Sequence, residues 1–236
     1  MIVGDSISQG REGDHTWRYR LSRSLARHGV PARFAGPWRG TWVPSAAQPP
    51  GGRPAPPGHP AYAGPYREGL RFPDSRHYAC WGRRLDEAKD NIADAVAEHR
   101  PDWLMVALGF NDLAWGVCGP DRLLAAMDAF VHQARRAAPE IGLLVADVVH
   151  RTPLEEHPHL ERDVAAYNRR LPALLRGSST ARSPVAQVGL GVVYDARTDS
   201  YDGVHPNELG EIKIARAFAE VFLGTAAIRR PAPVPG

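Results

Sequence analysis

The chain has 236 residues, 43% of them hydrophobic and 23% charged, and its formal net charge is only +3. These values are ordinary for one soluble globular domain, which at this length needs no disulfide or metal ion to fold. The arginines occur in scattered pairs and not along one stripe, so we exclude a nucleic-acid-binding protein.

No apolar run reaches the ~18–20 residues that a membrane-spanning helix needs, and no signal peptide is visible. We therefore expect a cytoplasmic protein as numbered, the alternative being a secretion signal lost upstream of Met1. Cys80 and Cys118 form no C-x-x-C motif, which argues against a zinc ribbon or a redox pair. We predict two buried free thiols, with a disulfide as the alternative.

The chain opens on a short apolar strand at 1–3. A helix is predicted at 16–28, because apolar residues recur there at helical spacing and Gly29 follows as a stop signal. Residues 30–34 are predicted to form a second short strand.

The segment at 36–74 has a different character, since it holds ten of the 22 prolines and seven of the 23 glycines. That density forbids a regular helix or a central strand and predicts a long loop. The loop also carries aromatic residues that a disordered linker tends to lack, namely Trp38, Trp42, Tyr62, Tyr66 and Phe72.

Beyond the loop, helical and strand patterns alternate. Apolar runs predict buried strands at 102–108, 141–149 and 185–193, and helical periodicity predicts helices at 85–99, 121–138, 160–175 and 206–223. The alternation indicates an α/β fold with a parallel sheet covered on both faces, whose ligands bind at the carboxyl ends of the strands. We predict one domain at 1–228 and a flexible, proline-rich tail at 229–236.

Three polar segments fall at strand ends or before the last helix. Gly4-Asp5-Ser6 can present a hydroxyl above the sheet, and Gly109-Phe110-Asn111-Asp112 can point an amide at an oxyanion. In Asp202-Gly203-Val204-His205 the three-residue spacing lets the carboxylate hold Nδ1–H of the imidazole, so that Nε2 can take a proton from a serine. Each segment alone is a common turn; together they predict nucleophilic catalysis.

In this order the segments resemble three of the four sequence blocks of the SGNH (GDSL-like) hydrolase family. The remaining block of that family is a glycine whose backbone N–H faces the oxyanion, and Gly82 in Cys80-Trp81-Gly82-Arg83 matches it best. The resemblance covers nearly the whole chain. It implies a flavodoxin-like, three-layer α/β/α sandwich with about five parallel strands.

The resemblance also implies roles for individual residues. Ser6 is the nucleophile, His205 its base and Asp202 the group that orients His205. The oxyanion hole consists of the Ser6 and Gly82 N–H groups and the Asn111 side chain, and neither a metal nor a cofactor is required. Ser8 is the rival nucleophile.

We therefore predict a serine esterase that hydrolyses a small-molecule carboxylic ester through an acyl-serine intermediate. An acyltransferase using the same residues is the alternative, and a non-catalytic binding module is a weaker one because all the catalytic residues are present. The sequence leaves open the oligomeric state and the ester, which could be a sugar acetyl, lipid or secondary-metabolite ester.

The loop at 36–74 leads to the block that contains Gly82, so we predict that it selects the substrate. Its candidate substrate-binding residues are Trp38, Trp42 and Tyr62. His150 follows a predicted strand at the ligand-binding edge and is a further candidate. By contrast, His157 and His159 have H-x-H metal spacing but no acidic or cysteine neighbours, so we assign them to a solvated loop.

Overall fold

A five-stranded parallel sheet in the order β2-β1-β3-β4-β5 forms the centre of the fold. The computed structural model describes residues 1–46, 63–153 and 157–229. The strands are β1 (Ile2–Gly4), β2 (Tyr78–Ala79), β3 (Trp103–Ala107), β4 (Gly142–Ala146) and β5 (Val185–Val188). The short β1 lies centrally, since Val3 pairs with Tyr78 on one side and with Val106 on the other.

Helices cover both faces of the sheet, which confirms the predicted three-layer α/β/α fold. They are α1 (Ser6–Gln9), α2 (Trp17–Arg27), α3 (Leu85–His99), α4 (Phe110–Ala114), α5 (Pro120–Ala137), α6 (Leu160–Ser178), α7 (Leu190–Val193), α8 (Ala196–Asp199) and α9 (Glu208–Arg229). On one face α2 packs against α9, where Trp17 stacks on Phe218 with ring centroids 4.7 Å apart. On the other face α5 packs between α3 and α6.

The second strand is not where the sequence pattern predicted it. Residues 30–34 form no strand; β2 lies beyond the long loop, at Tyr78–Ala79. The backbone donors of the predicted strand are engaged elsewhere: Val30 N–H donates to Leu25 O, closing α2, and Phe34 N–H donates to the Asp74 carboxylate. Pro31 between them has no N–H to contribute to a sheet.

Other boundaries differ by a few residues. The predicted strand at 185–193 ends at Val188, and α7 follows it. Helix α9 continues to Arg229, and the rest of the tail predicted at 229–236 lies outside the described residues. Cys80 is buried as predicted, whereas Cys118 is only half-buried, and the two cysteines are not bonded to each other. None of the helices in the described ranges is long and apolar enough to cross a bilayer.

Candidate active site

Ser6 lies at the carboxyl end of β1, on the first residue of α1. The Asp5 side chain caps this short helix by accepting a hydrogen bond from the Ile7 N–H at 3.0 Å. The strand approaches the helix so closely that a Cβ on Gly4 would lie 2.3 Å from Ser8 Oγ, which only glycine avoids. This strand-to-helix turn holds Ser6 at the edge of the sheet where ligands bind.

Three predicted residues from opposite ends of the chain meet here. His205 Nε2 lies 2.9 Å from Ser6 Oγ, and His205 Nδ1 lies 2.6 Å from Asp202 Oδ2. The other carboxylate oxygen of Asp202 accepts the backbone N–H groups of Val204 at 3.0 Å and His205 at 2.8 Å. One carboxylate thus holds both the turn and the imidazole ring.

The electrostatics of Asp202 set the tautomer of His205. Partial burial acts to raise the pKa of Asp202, but the hydrogen bonds from His205 outweigh it, and the pKa lies below its ordinary value. Asp202 is therefore ionised near neutral pH and can only accept at Nδ1 of His205. Neutral His205 then carries its proton on Nδ1, which leaves Nε2 as an acceptor for the Ser6 hydroxyl.

Gly82 and Asn111 lie on adjoining segments at the same edge. The Asn111 side-chain amide donates to Arg83 O at 3.0 Å, which ties it to the turn containing Gly82 and leaves its second N–H available. Gly82 has a φ of +74°, in the left-handed region that favours glycine. The Gln9 side chain joins this turn to α1 by accepting the Trp81 N–H at 2.6 Å.

Asp112 holds Asn111 against the turn that contains Gly82, a role that was not predicted. Its carboxylate accepts the backbone N–H groups of Leu85 at 2.8 Å and Asp86 at 3.0 Å, at the start of α3. Burial raises the pKa of Asp112, and these hydrogen bonds oppose the rise. The residue next to Asn111 is thus bonded to the helix that follows Gly82.

Aromatic rings stack on the imidazole of His205 and lie near it, and most of them were not among the predicted site residues. The Trp81 ring stacks on His205 with centroids 4.5 Å apart, and Trp42 stacks on Trp81 at 3.8 Å. Tyr201 stacks on His205 at 5.8 Å and is 46% exposed. Trp115 is 58% exposed, and its ring tip lies 3.1 Å from where a Cβ on Gly82 would be. Trp81 directly precedes Gly82 in the sequence, and this position is the one local signal that could have placed it in the site.

The described parts of the loop at 36–74 are fastened to α1 by the buried Arg18. Its guanidinium donates to carbonyl oxygens of α1, of the loop and of the segment after it, and also to the Tyr66 hydroxyl; the carbonyl acceptors are Ser8, Gln9, Gly40 and Ser75. Backbone bonds continue the attachment, since Trp42 N–H donates to Gly10 O at 2.9 Å. The loop therefore reaches the active-site edge.

The candidate substrate-binding residues of the loop have different surroundings. Trp42 is half-buried beside Trp81, within reach of the site. Trp38 does not fit its predicted role as a substrate-binding residue, because it is only 4% exposed. It packs against Tyr78 and Cys80 in a small separate core. Tyr62 lies outside the described residues.

His150 is half-buried and lines a cavity of about 450 Å³ together with Tyr194 and Lys213. Among the described residues that line this cavity, Ser6 and His205 do not occur, so His150 faces a neighbouring space. The rival nucleophile Ser8 is fully buried. Within the described ranges, no three His, Cys, Asp or Glu side chains are grouped to hold a metal ion.

Comparison with known proteins agrees with this architecture. The sequence model of the GDSL-like Lipase/Acylhydrolase family matches residues 39–211, which is most of the chain. No curated protein sequence matches the chain significantly.

Solved structures share the fold over nearly the full length. A carbohydrate esterase family 3 protein from Talaromyces cellulolyticus has a TM-score of 0.74 at 22% identity, with 98% of each chain covered. A family 3 carbohydrate esterase from Clostridium thermocellum has a TM-score of 0.70 at 24% identity, again covering 98% of each chain. An acetyl esterase variant with an acetate ion has a TM-score of 0.71 at 20% identity, covering 97% of this chain and 98% of its own.

Proposed function

Because the chain belongs to the GDSL-like lipase/acylhydrolase family and is therefore a hydrolase of ester bonds, we propose that it works through an acyl-serine intermediate on Ser6. The observation that carries the proposal is the hydrogen-bonded series from Ser6 Oγ to His205 Nε2 at 2.9 Å and from His205 Nδ1 to Asp202 at 2.6 Å. A serine bonded to a base, which is oriented by a carboxylate, is the arrangement that nucleophilic catalysis requires.

In the first half of the proposed reaction Ser6 Oγ attacks the carbonyl carbon of the ester, and its proton moves to His205 Nε2. The carbonyl oxygen becomes an oxyanion that accepts hydrogen bonds from Ser6 N–H, Gly82 N–H and the Asn111 amide. As the intermediate collapses, His205 gives its proton to the departing alcohol and the acyl group stays on Ser6. Asp202 stays ionised and keeps the imidazole in place.

In the second half water takes the place of the alcohol. His205 removes a proton from it, the resulting hydroxide attacks the acyl-serine, and the acid leaves as Ser6 regains its proton. Acyl transfer to another alcohol is the alternative. The Asp202 side chain is 42% exposed and Tyr201 is 46% exposed, so the side of the site next to His205 is open to solvent, and this favours water as acceptor.

For the substrate we propose an acetyl ester of a carbohydrate. Two of the structures with the same fold are carbohydrate esterases and one is an acetyl esterase, which supports this class. The exposed rings of Tyr201 and Trp115, beside His205 and Gly82, are flat apolar surfaces against which a sugar ring can pack.

The reaction is tested by Ser6→Ala and His205→Ala. Each should lower kcat for p-nitrophenyl acetate by roughly 10³-fold or more while the circular-dichroism spectrum stays native. Asp202→Asn should lower kcat by less than these two variants do, because the imidazole is still present although it is less well oriented. Retained turnover in Ser6→Ala would exclude the acyl-serine route.

The substrate class is tested separately, by acetate release from acetylated oligosaccharides and by p-nitrophenyl esters of increasing chain length. We expect acetate release from the carbohydrate and a fall in kcat/KM from acetate to octanoate. A preference for octanoate would overturn the carbohydrate assignment and leave the acyl-serine mechanism untouched.

A further inference from the structure

The imidazole of His205 lies against the face of an indole. The Trp81 and His205 rings are 4.5 Å apart at their centroids and inclined by 22°. Trp81 is held in place by two contacts, because its backbone N–H donates to Gln9 Oε1 at 2.6 Å and its ring stacks on Trp42 at 3.8 Å. The ring that faces His205 is therefore anchored to α1, the helix that carries Ser6.

This contact changes in strength during the proposed reaction. The face of an aromatic ring is electron-rich and attracts a cation placed within about 6 Å of its centroid, most strongly when the ring is tryptophan. His205 is neutral before the attack and becomes an imidazolium when it takes the Ser6 proton. The indole thus interacts more strongly with the charged transition state than with the resting enzyme, which is the condition for a contribution to rate.

Other groups also face His205. Asp202 lies at Nδ1, and Ser6 at Nε2. The carboxylate of Asp14 is close enough to interact electrostatically with His205, and the Tyr201 ring lies 5.8 Å away. A change in this set would also shift the pH response, so the test must alter Trp81 and keep these four groups intact.

We propose that Trp81 is a positioning residue of this site, whose indole face fixes the plane of the His205 ring and stabilises its protonated form. The proposal rests on the proposed function, in which His205 is the base.

The test is the pH profile of kcat/KM for p-nitrophenyl acetate in wild type, Trp81→Phe and Trp81→Leu. Leucine keeps an apolar side chain over the imidazole but has no π face. For Trp81→Leu we expect the plateau to fall about 2- to 30-fold and the midpoint of the acid limb to move down by about 0.4–1.5 pH units. Phenylalanine has a weaker π face, so Trp81→Phe should fall between the two.

Trp115→Leu is the matched control, because the exposed indole of Trp115 lies beside Gly82 and, within the described residues, makes no ring contact with His205 or Trp81. Its acid midpoint should stay at the wild-type value whatever happens to its rate. A second measurement avoids truncation: fluorinated tryptophan withdraws charge from the indole face with little change in shape. It should lower the midpoint in wild type and leave it unchanged in Trp81→Phe.

Two results would overturn the proposal: an acid midpoint that does not move in Trp81→Leu although the plateau falls, or an equal movement in Trp115→Leu. Either would reduce Trp81 to packing. Full activity in His205→Ala is a different outcome, because it would remove the base and with it the proposed function.

Discussion

Asn111 is held by a hydrogen bond that takes no part in the reaction itself. Its amide donates to Arg83 O at 3.0 Å, which uses one N–H and leaves the second available to an oxyanion. Asn111→Ala removes the proposed oxyanion donor, so kcat should fall about 10²–10³-fold with little change in KM, as for other oxyanion-hole side chains. Steady-state kinetics on p-nitrophenyl acetate measure both constants, and a rise in KM alone would make Asn111 a binding residue.

Glu211 gives a prediction about stability and pH. Its buried carboxyl accepts the Thr16 N–H at 2.7 Å, and burial raises the pKa of Glu211 to about 7 from an ordinary 4.5. Because the folded state binds this proton more tightly than the unfolded state, the group's stabilising contribution is complete below pH 4.5 and is lost as the pH rises through 7.

Glu211→Gln keeps an acceptor for Thr16 and removes the titration. We therefore expect the free energy of unfolding of the variant, relative to wild type, to rise by about 1–3 kcal/mol between pH 5 and pH 8. Thermal unfolding at several pH values measures this difference. A difference that is constant across the range would contradict the account.

Arg18 fastens the loop at 36–74 to α1, together with backbone hydrogen bonds such as that from Trp42 N–H to Gly10 O. The fully buried Arg18 donates five hydrogen bonds, all of them to uncharged acceptors. Lysine keeps the charge but cannot supply a planar fork of five donors. Arg18→Lys should therefore lower stability by about 2–4 kcal/mol and reduce activity on large and small esters alike.

Arg23→Lys is the control, since Arg23 is exposed on the same helix α2. The midpoint of its unfolding in urea should equal that of wild type. If Arg18→Lys has the same midpoint and remains active, Arg18 does not hold the loop.

The two described tryptophans of the loop, predicted together as substrate-binding residues, should now behave differently. Trp42 lies beside Trp81 near the site, whereas Trp38 is buried against Tyr78. Trp42→Ala should raise KM for an acetylated oligosaccharide, and through its contact with Trp81 it should also lower p-nitrophenyl acetate turnover moderately. Trp38→Ala should lower the unfolding temperature, because the cavity it leaves lowers the free energy of unfolding by about 3–5 kcal/mol. Equal KM effects in both variants would contradict this division.

For the molecule as a whole, the layered fold could be predicted because its signals are local. Apolar runs such as 102–108 and helical periodicity such as 85–99 are visible in short windows, and both elements are present as β3 and α3. The catalytic candidates are local too, since Asp202 and His205 are three residues apart. The placement of Ser6 and Asn111 on one side of the sheet follows from the topology, because they come after β1 and β3 and strand ends of a parallel sheet share one edge.

What could not be predicted depends on contacts between distant segments. The two-residue β2 is too short to show a periodic pattern, whereas the segment at 30–34 contains apolar residues that are typical of a strand. Nothing in the local sequence distinguishes the buried Trp38 from the half-buried Trp42. Trp81 and Trp115 were not predicted as site residues, because only the folded chain brings Trp81 against His205 and Trp115 beside Gly82.

In the proposed reaction Ser6, activated by His205, attacks the ester, and a fluorophosphonate probe followed by peptide mapping in a mass spectrometer identifies that nucleophile. We expect stoichiometric labelling of Ser6 with complete loss of esterase activity, no labelling in Ser6→Ala, and slow labelling in His205→Ala. Labelling of Ser8 or any other residue, or an unlabelled enzyme that stays active, would exclude Ser6 as the nucleophile.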